Sequence, residues 1–172
     1  MRKTRLKNKF FQRDILDVAP ELLGKFLVRK FEDGSIIKLE INEIEIYRGE
    51  EDLASHASKG RTNRTEVMYK SGGLIYVYLI YGIYWMINIV TEQNNNPQAI
   101  LIRGAGKYDG PGKLSQFLKI DKSFYGEDLE TSERIWIEGE KKTIVFVSTT
   151  RIGIDYAGDY WKNKNWRYLL KK

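Results

Sequence analysis

The chain has 172 residues, 42% hydrophobic and 13% aromatic, enough for one sizeable core and too few for two ordinary domains. Lys and Arg outnumber Asp and Glu by 29 to 23, a net charge of +6 that suits a polyanionic partner such as nucleic acid without requiring one. The absence of cysteine excludes disulfides, zinc–thiolate sites, thiol nucleophiles and iron–sulfur clusters, and a single histidine leaves little for any other metal.

The basic residues 1–9 are expected to be flexible, and they run into Phe10-Phe11-Gln12-Arg13-Asp14 rather than the unbroken apolar stretch of a secretory signal. Asp17 is positioned to cap a short helix that begins near Pro20 and stops around Gly24. Lys25–Phe31 and Ser35–Tyr47 read as strands joined by a hairpin at Asp33-Gly34, where glycine accepts the positive φ of such a turn. Alternation along the second strand puts Glu43, Glu45 and Tyr47 on one face and Ile44 and Ile46 on the other. From Gly49 to Ser71 there is no apolar period, and His56, Arg61, Thr62 and Arg64 fall in what reads as a long functional loop.

Leu74 to Val90 is the most hydrophobic stretch. Its 17 residues include four Tyr, Gly82 and Asn88, so it is too short and too mixed for a membrane span and too long for one strand. A hairpin bending near Gly82 accommodates it, with Tyr81 at the tip and Tyr78 and Asn88 brought back towards each other. Gln93–Gln98 is a turn, Ala99–Arg103 a strand, and Gly110-Pro111-Gly112 introduces a helix over Lys113–Lys119. Ile135–Ile137 and Thr143–Ser148 read as further strands. The predicted fold is α+β, one compact domain over residues 1–172 with a mixed, largely antiparallel curved sheet, peripheral helices and a protruding β-hairpin. A soluble, intracellular monomer is expected, in the cytoplasm or on a bacterial nucleoid, without membrane association.

Glu45 is the first chemical candidate, because a carboxylate at a strand end beside a loop containing His56 can hold and deprotonate a water. Tyr81, at a protruding tip between basic loops, suits insertion between stacked bases. Arg61, Arg64 and Arg103 suit phosphates. Three readings stay open on these residues: an enzyme working through Glu45, a non-enzymatic nucleic-acid-binding module that needs Tyr81 and positive charge but not Glu45, and a Mg²⁺-dependent nuclease built on Glu43, Glu45 and Asp52.

Glu43-Ile44-Glu45-Ile46-Tyr47, followed by Gly49, Glu51-Asp52, Ala54 and His56, resembles the active-site segment of the alkyladenine (3-methyladenine) DNA glycosylase family. Arg61-Thr62-Asn63-Arg64-Thr65, the run from Tyr76 to Tyr84 with Asn88 after it, Leu101-Ile102-Arg103, and Gly110-Pro111-Gly112-Lys113-Leu114 follow in that family's order, so the resemblance covers about Phe11 to Tyr168. It implies a cofactor-free, monofunctional glycosylase without lyase activity. Such an enzyme flips damaged purine nucleotides out of double-stranded DNA and hydrolyses the base–sugar bond. By the same resemblance Glu45 is the general base, Tyr47, His56, Tyr78 and Asn88 form the base pocket, Tyr81 intercalates, and Arg61, Thr62, Arg64 and Arg103 lie along the DNA backbone. The connection from Gly104 to Asp109 is shorter than in many relatives.

Overall fold

The computed structural model describes residues 4–139 and 143–171, and within them ten strands form one sheet. From Thr4 onward the basic N-terminal segment is packed against the rest of the chain. β1 (Thr4–Arg5) pairs with β8 (Ile135–Gly139), the Arg5 guanidinium donates to the Leu129 carbonyl at 2.9 Å, and Lys7 meets Glu130 at 3.3 Å. Residues 1–3 lie outside the described residues. After α1 (Asn8–Phe11), α2 (Ile15–Leu22) is capped by Asp14 and not by Asp17: the Asp14 carboxylate accepts from the Leu16 N–H at 2.9 Å, and Pro20 sits inside the helix. Ile15, Val18, Ala19 and Leu22 follow helical spacing and form one buried stripe.

β2 (Phe26–Lys30) and β3 (Ile36–Arg48) make the expected hairpin, with Gly34 at φ +83° and the Asp33 carboxylate accepting from the Ser35 N–H at 2.9 Å. β3 is 13 residues long and serves two neighbours along one edge: its first half pairs with β2, and Glu43 to Glu45 pair with β10 (Arg167–Leu170). Its other edge pairs with β6 (Gln98–Ala105), where the register shifts between Ile41 and Ile44. Such a bulge bends a strand and re-aims its side chains. Here it immediately precedes Glu45.

β4 (Ile75–Ile80) and β5 (Tyr84–Thr91) form the second hairpin, and β7 (Tyr108–Asp109) folds back on β6 through Gly106-Lys107. β9 (Phe146–Thr149), which starts three residues later than expected, pairs with β10. The order is β1-β8-β2-β3-β6-β5-β4, and every pairing among the described residues is antiparallel, so no parallel pair is present to make the sheet mixed. Tight turns join β2 to β3, β4 to β5 and β6 to β7, and the strands reached by the longer connections, over 49–74, 110–134 and 150–166, pair antiparallel as well. α3 (Pro111–Phe117) begins at the proline, and α4 (Gly158–Lys162) precedes β10.

One face of the sheet buries Ile44 and Ile46 with Ile100, Ile102, Ile87 and Ile89 against Val18 and Leu22 of α2 and Leu114 of α3. Each such side chain contributes roughly 1.5–3 kcal/mol on burial. α3 comes close enough to β5 that a Cβ on Gly112 would lie 3.0 Å from Cγ of Tyr84. Among the described residues no helix is long and apolar enough to cross a membrane, and the apolar Leu74–Val90 stretch is the β4–β5 hairpin.

Candidate active site

The opposite face from the isoleucines carries Glu43, Glu45 and Tyr47, as alternation requires, and Glu45 and Tyr47 border a cavity of about 740 Å³. The Glu45 side chain is 0% exposed and surrounded by donors. Its Oε1 accepts from the Ile152 backbone N–H at 2.8 Å, its Oε2 accepts from the Tyr47 hydroxyl at 2.8 Å, and an Arg103 Nη lies 3.5 Å from Oε2. Burial first, and then the neighbouring carboxylate, push the Tyr47 phenol well above its usual range, so it stays a donor. Arg103 is in turn held by Glu43, which accepts from its Nε at 3.0 Å and from Nε of Arg167 at 2.7 Å. Arg103 is therefore a half-buried group beside Glu45 rather than a surface charge.

The wall opposite is aromatic. Tyr76, Tyr78, Met86 and Asn88 share one face of the β4–β5 hairpin, in which Tyr78 pairs with Met86 and Asn88 with Tyr76. Tyr78 and Asn88 are thus diagonal neighbours rather than directly opposite. Asn88 donates its NH₂ to the Tyr76 carbonyl at 3.1 Å and to the Met86 carbonyl at 3.5 Å, so its amide group is oriented by the hairpin backbone. The His56 ring meets Tyr78 edge-on at 4.5 Å.

Arginine can only donate, so the 3.4 Å contact from Arg64 makes Nε2 of His56 an acceptor and leaves the proton on Nδ1, facing the Tyr76 hydroxyl at 2.8 Å. Burial and the Arg64 charge lower the His56 pKa to about 4, so the ring is neutral at pH 7. Between about 4 and the ordinary value of 6.5 the unfolded chain binds a proton that the folded chain refuses, and stability falls as pH drops through that window. Melting temperatures of the wild type are therefore expected to fall more steeply from pH 7 to pH 4 than those of His56→Gln; parallel curves would place His56 in a wetter site.

The long polar loop is organised by two short 3-10 turns, His56–Lys59 and Glu66–Tyr69. Arg64 lines the cavity with its guanidinium 5.2 Å from the Tyr78 ring. Arg61 and Thr62 do not line it. Arg61 grips Glu66 through two 2.7 Å contacts and lies over Tyr69, and the Thr62 N–H donates to the Thr65 hydroxyl at 2.9 Å.

Tyr81 sits at the hairpin tip, 83% exposed, with φ +53° followed by Gly82 at φ +67°. A left-handed backbone costs a side-chain-bearing residue about 1–2 kcal/mol, so the tip holds its ring outward against a local penalty. Ile83 beside it is also exposed. Tyr81 and Tyr84 both border the cavity.

The geometry does not support a metal-dependent nuclease. Glu43 is bound by Arg103 and Arg167, Asp52 is bound by Arg151 at 2.6 and 3.0 Å, and among the described residues no three His, Asp or Glu side chains are grouped to hold a metal ion. Three contributors to the site went unforeseen: Arg151, Ile152 and Tyr156, whose hydroxyl donates to the Ala54 carbonyl at 3.1 Å. They lie about a hundred residues from their partners, where local periodicity carries no signal. The Asp52 of the glutamate motif was the available hint.

A match to the family described as methylpurine-DNA glycosylase covers residues 9–109 and 105–172. The two matched segments meet at the tight β6–β7 turn. Proteins named "Putative 3-methyladenine DNA glycosylase" are similar over nearly their full length. That of Natranaerobius thermophilus is 39% identical over 97% of this chain and 96% of its own, that of Desulfitobacterium hafniense 40% over 97% and 95%, and that of Legionella pneumophila 41% over 99% and 96%. By class the protein is a DNA glycosylase, a hydrolase of the N-glycosyl bond between base and deoxyribose. The chain belongs to the methylpurine-DNA glycosylase family.

Proposed function

We propose that the protein excises alkylated or deaminated purines from duplex DNA as a monofunctional, cofactor-free, monomeric glycosylase of base-excision repair, acting in the cytoplasm or on the nucleoid. The observation that carries this reading is a buried glutamate, ringed by donors, on a cavity walled by tyrosines beside an exposed aromatic tip.

The attacked sugar carbon is shielded inside a base stack, so the nucleotide must leave it, at a cost of a few kcal/mol. Tyr81 fills the gap, and Tyr47, Tyr78 and His56 receive the base, with cationic alkylpurines gaining further from the electron-rich ring faces. Glu45 takes a proton from a water whose oxygen bonds to C1′ while the C1′–N bond breaks and its electron pair leaves with the base. A cationic base departs neutral. A neutral one such as hypoxanthine must also gain a proton, which the neutral His56 does not hold in readiness at pH 7. Arg103 and the Ile152 N–H hold the glutamate in place, and the Asn88 carbonyl screens the purine's exocyclic group.

Lys113 is the lysine along the cavity, and it lies at the rim with its ammonium 3.0 Å from Asp109. It is therefore poorly placed as a Schiff-base nucleophile. The test is incubation with alkylated duplex DNA in chelator and borohydride. Free base and alkali-labile sites without a protein–DNA adduct are expected. Absence of base release would overturn the activity, and a trapped adduct would overturn its monofunctional character.

Tyr81→Ser is expected to weaken binding to abasic-analogue duplex by about 1–3 kcal/mol, or roughly 5- to 150-fold, whatever the lesion, because the ring occupies the stack rather than the pocket. Equal affinity of the two proteins in a titration would take Tyr81 off the intercalation site.

A further inference from the structure

We propose that the buried Asp52–Arg151 ion pair positions Glu45 for reaction by holding together the three chain segments that surround its carboxylate. The inference rests on Glu45 being the base of the proposed reaction.

Both side chains are 0% exposed and neither lines the cavity, yet they form the most completely enclosed ion pair of the described residues. Arg151 donates one Nη to Asp52 at 2.6 Å and to the Ile46 carbonyl at 2.8 Å, and the other to Asp52 at 3.0 Å and the Trp161 carbonyl at 3.2 Å. Its guanidinium carbon lies 4.9 Å from the Tyr47 ring centroid and 5.2 Å from that of Trp166. Asp52 also accepts from the backbone N–H groups of Arg48 at 3.2 Å and Ala54 at 3.1 Å.

A buried ion pair is a poor means of gaining stability, since apolar residues of similar size serve as well or better. What this pair does is geometric. Ile46 and Arg48 flank Tyr47, the donor to Oε2 of Glu45; Ala54 leads to His56; and Arg151 adjoins Ile152, whose N–H holds Oε1. One fork thus ties the end of β3, the turn before the first 3-10 segment and the 150–154 loop into a single register. A shift of about 1 Å in a reacting group costs on the order of 10²-fold in rate, and only a planar, bidentate cation fixes direction as well as distance.

The test measures single-turnover release of a cationic base and affinity for abasic-analogue duplex in Arg151→Lys and Asp52→Asn, each alone and combined with Glu45→Gln, with melting curves to confirm folding. The expected result is a rate loss of about tenfold or more in each single variant with affinity within about twofold. In the Glu45→Gln background neither substitution should reduce the residual rate further, because a residue that acts through Glu45 has nothing left to position. Should Arg151→Lys melt below the assay temperature, Asp52→Asn, which keeps the size and an accepting oxygen, carries the comparison. Should that variant melt as well, the apolar pair Asp52→Leu/Arg151→Met carries it. Wild-type rates in a folded variant would overturn the proposal. So would affinity falling in step with rate, or an additional tenfold loss beside Glu45→Gln. Wild-type activity of Glu45→Gln alone would instead overturn the reading of Glu45 on which the proposal stands.

Discussion

Glu45→Gln is expected to slow base release by about 10²- to 10⁴-fold, the range of a general base, while lesion-duplex affinity stays within about twofold of the wild type. The geometry explains why the fold tolerates the change. The Ile152 N–H cannot accept a hydrogen bond, so the amide oxygen must stay on that side, and the new NH₂ falls opposite Tyr47, whose hydroxyl can rotate to accept it, and beside Arg103, which keeps Glu43 as its partner. Nothing left in that position can take a proton from water. Single-turnover chromatography of the freed base measures the effect, and a rate above about one tenth of wild type would remove Glu45 from the role of base.

Arg151→Ala is expected to destabilise the protein by about 3–5 kcal/mol, the usual cost of leaving a buried charge without its partner. For a chain of this size that is a drop in melting temperature of roughly 6–20 °C. The substitution strands the Asp52 carboxylate at 0% exposure, removes the donor to the Ile46 and Trp161 carbonyls, and opens the space between Tyr47 and Trp166. Replacing both partners with apolar residues, Asp52→Leu with Arg151→Met, should recover most of the lost stability without recovering the rate. A loss below about 1 kcal/mol in urea denaturation of Arg151→Ala would mean that water reaches Asp52.

What the amino-acid order disclosed depended on distance along the chain. The Gly34 and Gly82 hairpins, and the placing of Ile44 and Ile46 on one face of β3 with Glu45 and Tyr47 on the other, follow from turn chemistry and two-residue alternation, both local. The α2 cap was misplaced because Asp14 and Asp17 stand one turn apart and Pro20 suggested a helix start; the helix instead accommodates Pro20 and starts at Ile15. β1 and β10 are too short for alternation to register, and both are strands because of what lies beside them: β8 for the first, β3 and β9 for the second. The same limit hid Ile152 and Arg151, whose partners Glu45 and Asp52 lie about a hundred residues earlier in the chain. Arg61 carries the right charge for a phosphate, and its pairing with Glu66 is a detail of the folded loop that composition cannot show.

The missing side chain at Gly112 has a mechanical consequence. Tyr84 is the foot of the turn that carries Tyr81, and α3 leans directly on its ring. A finger pressed between bases meets an equal push in return, and an unsupported hairpin would flex under it. In the proposed reaction that push would pass from Tyr84 into α3, whose Leu114 packs into the isoleucine layer beneath the sheet. A hairpin braced in this way would lose the entropy of stiffening its tip when the chain folds instead of at each encounter with DNA.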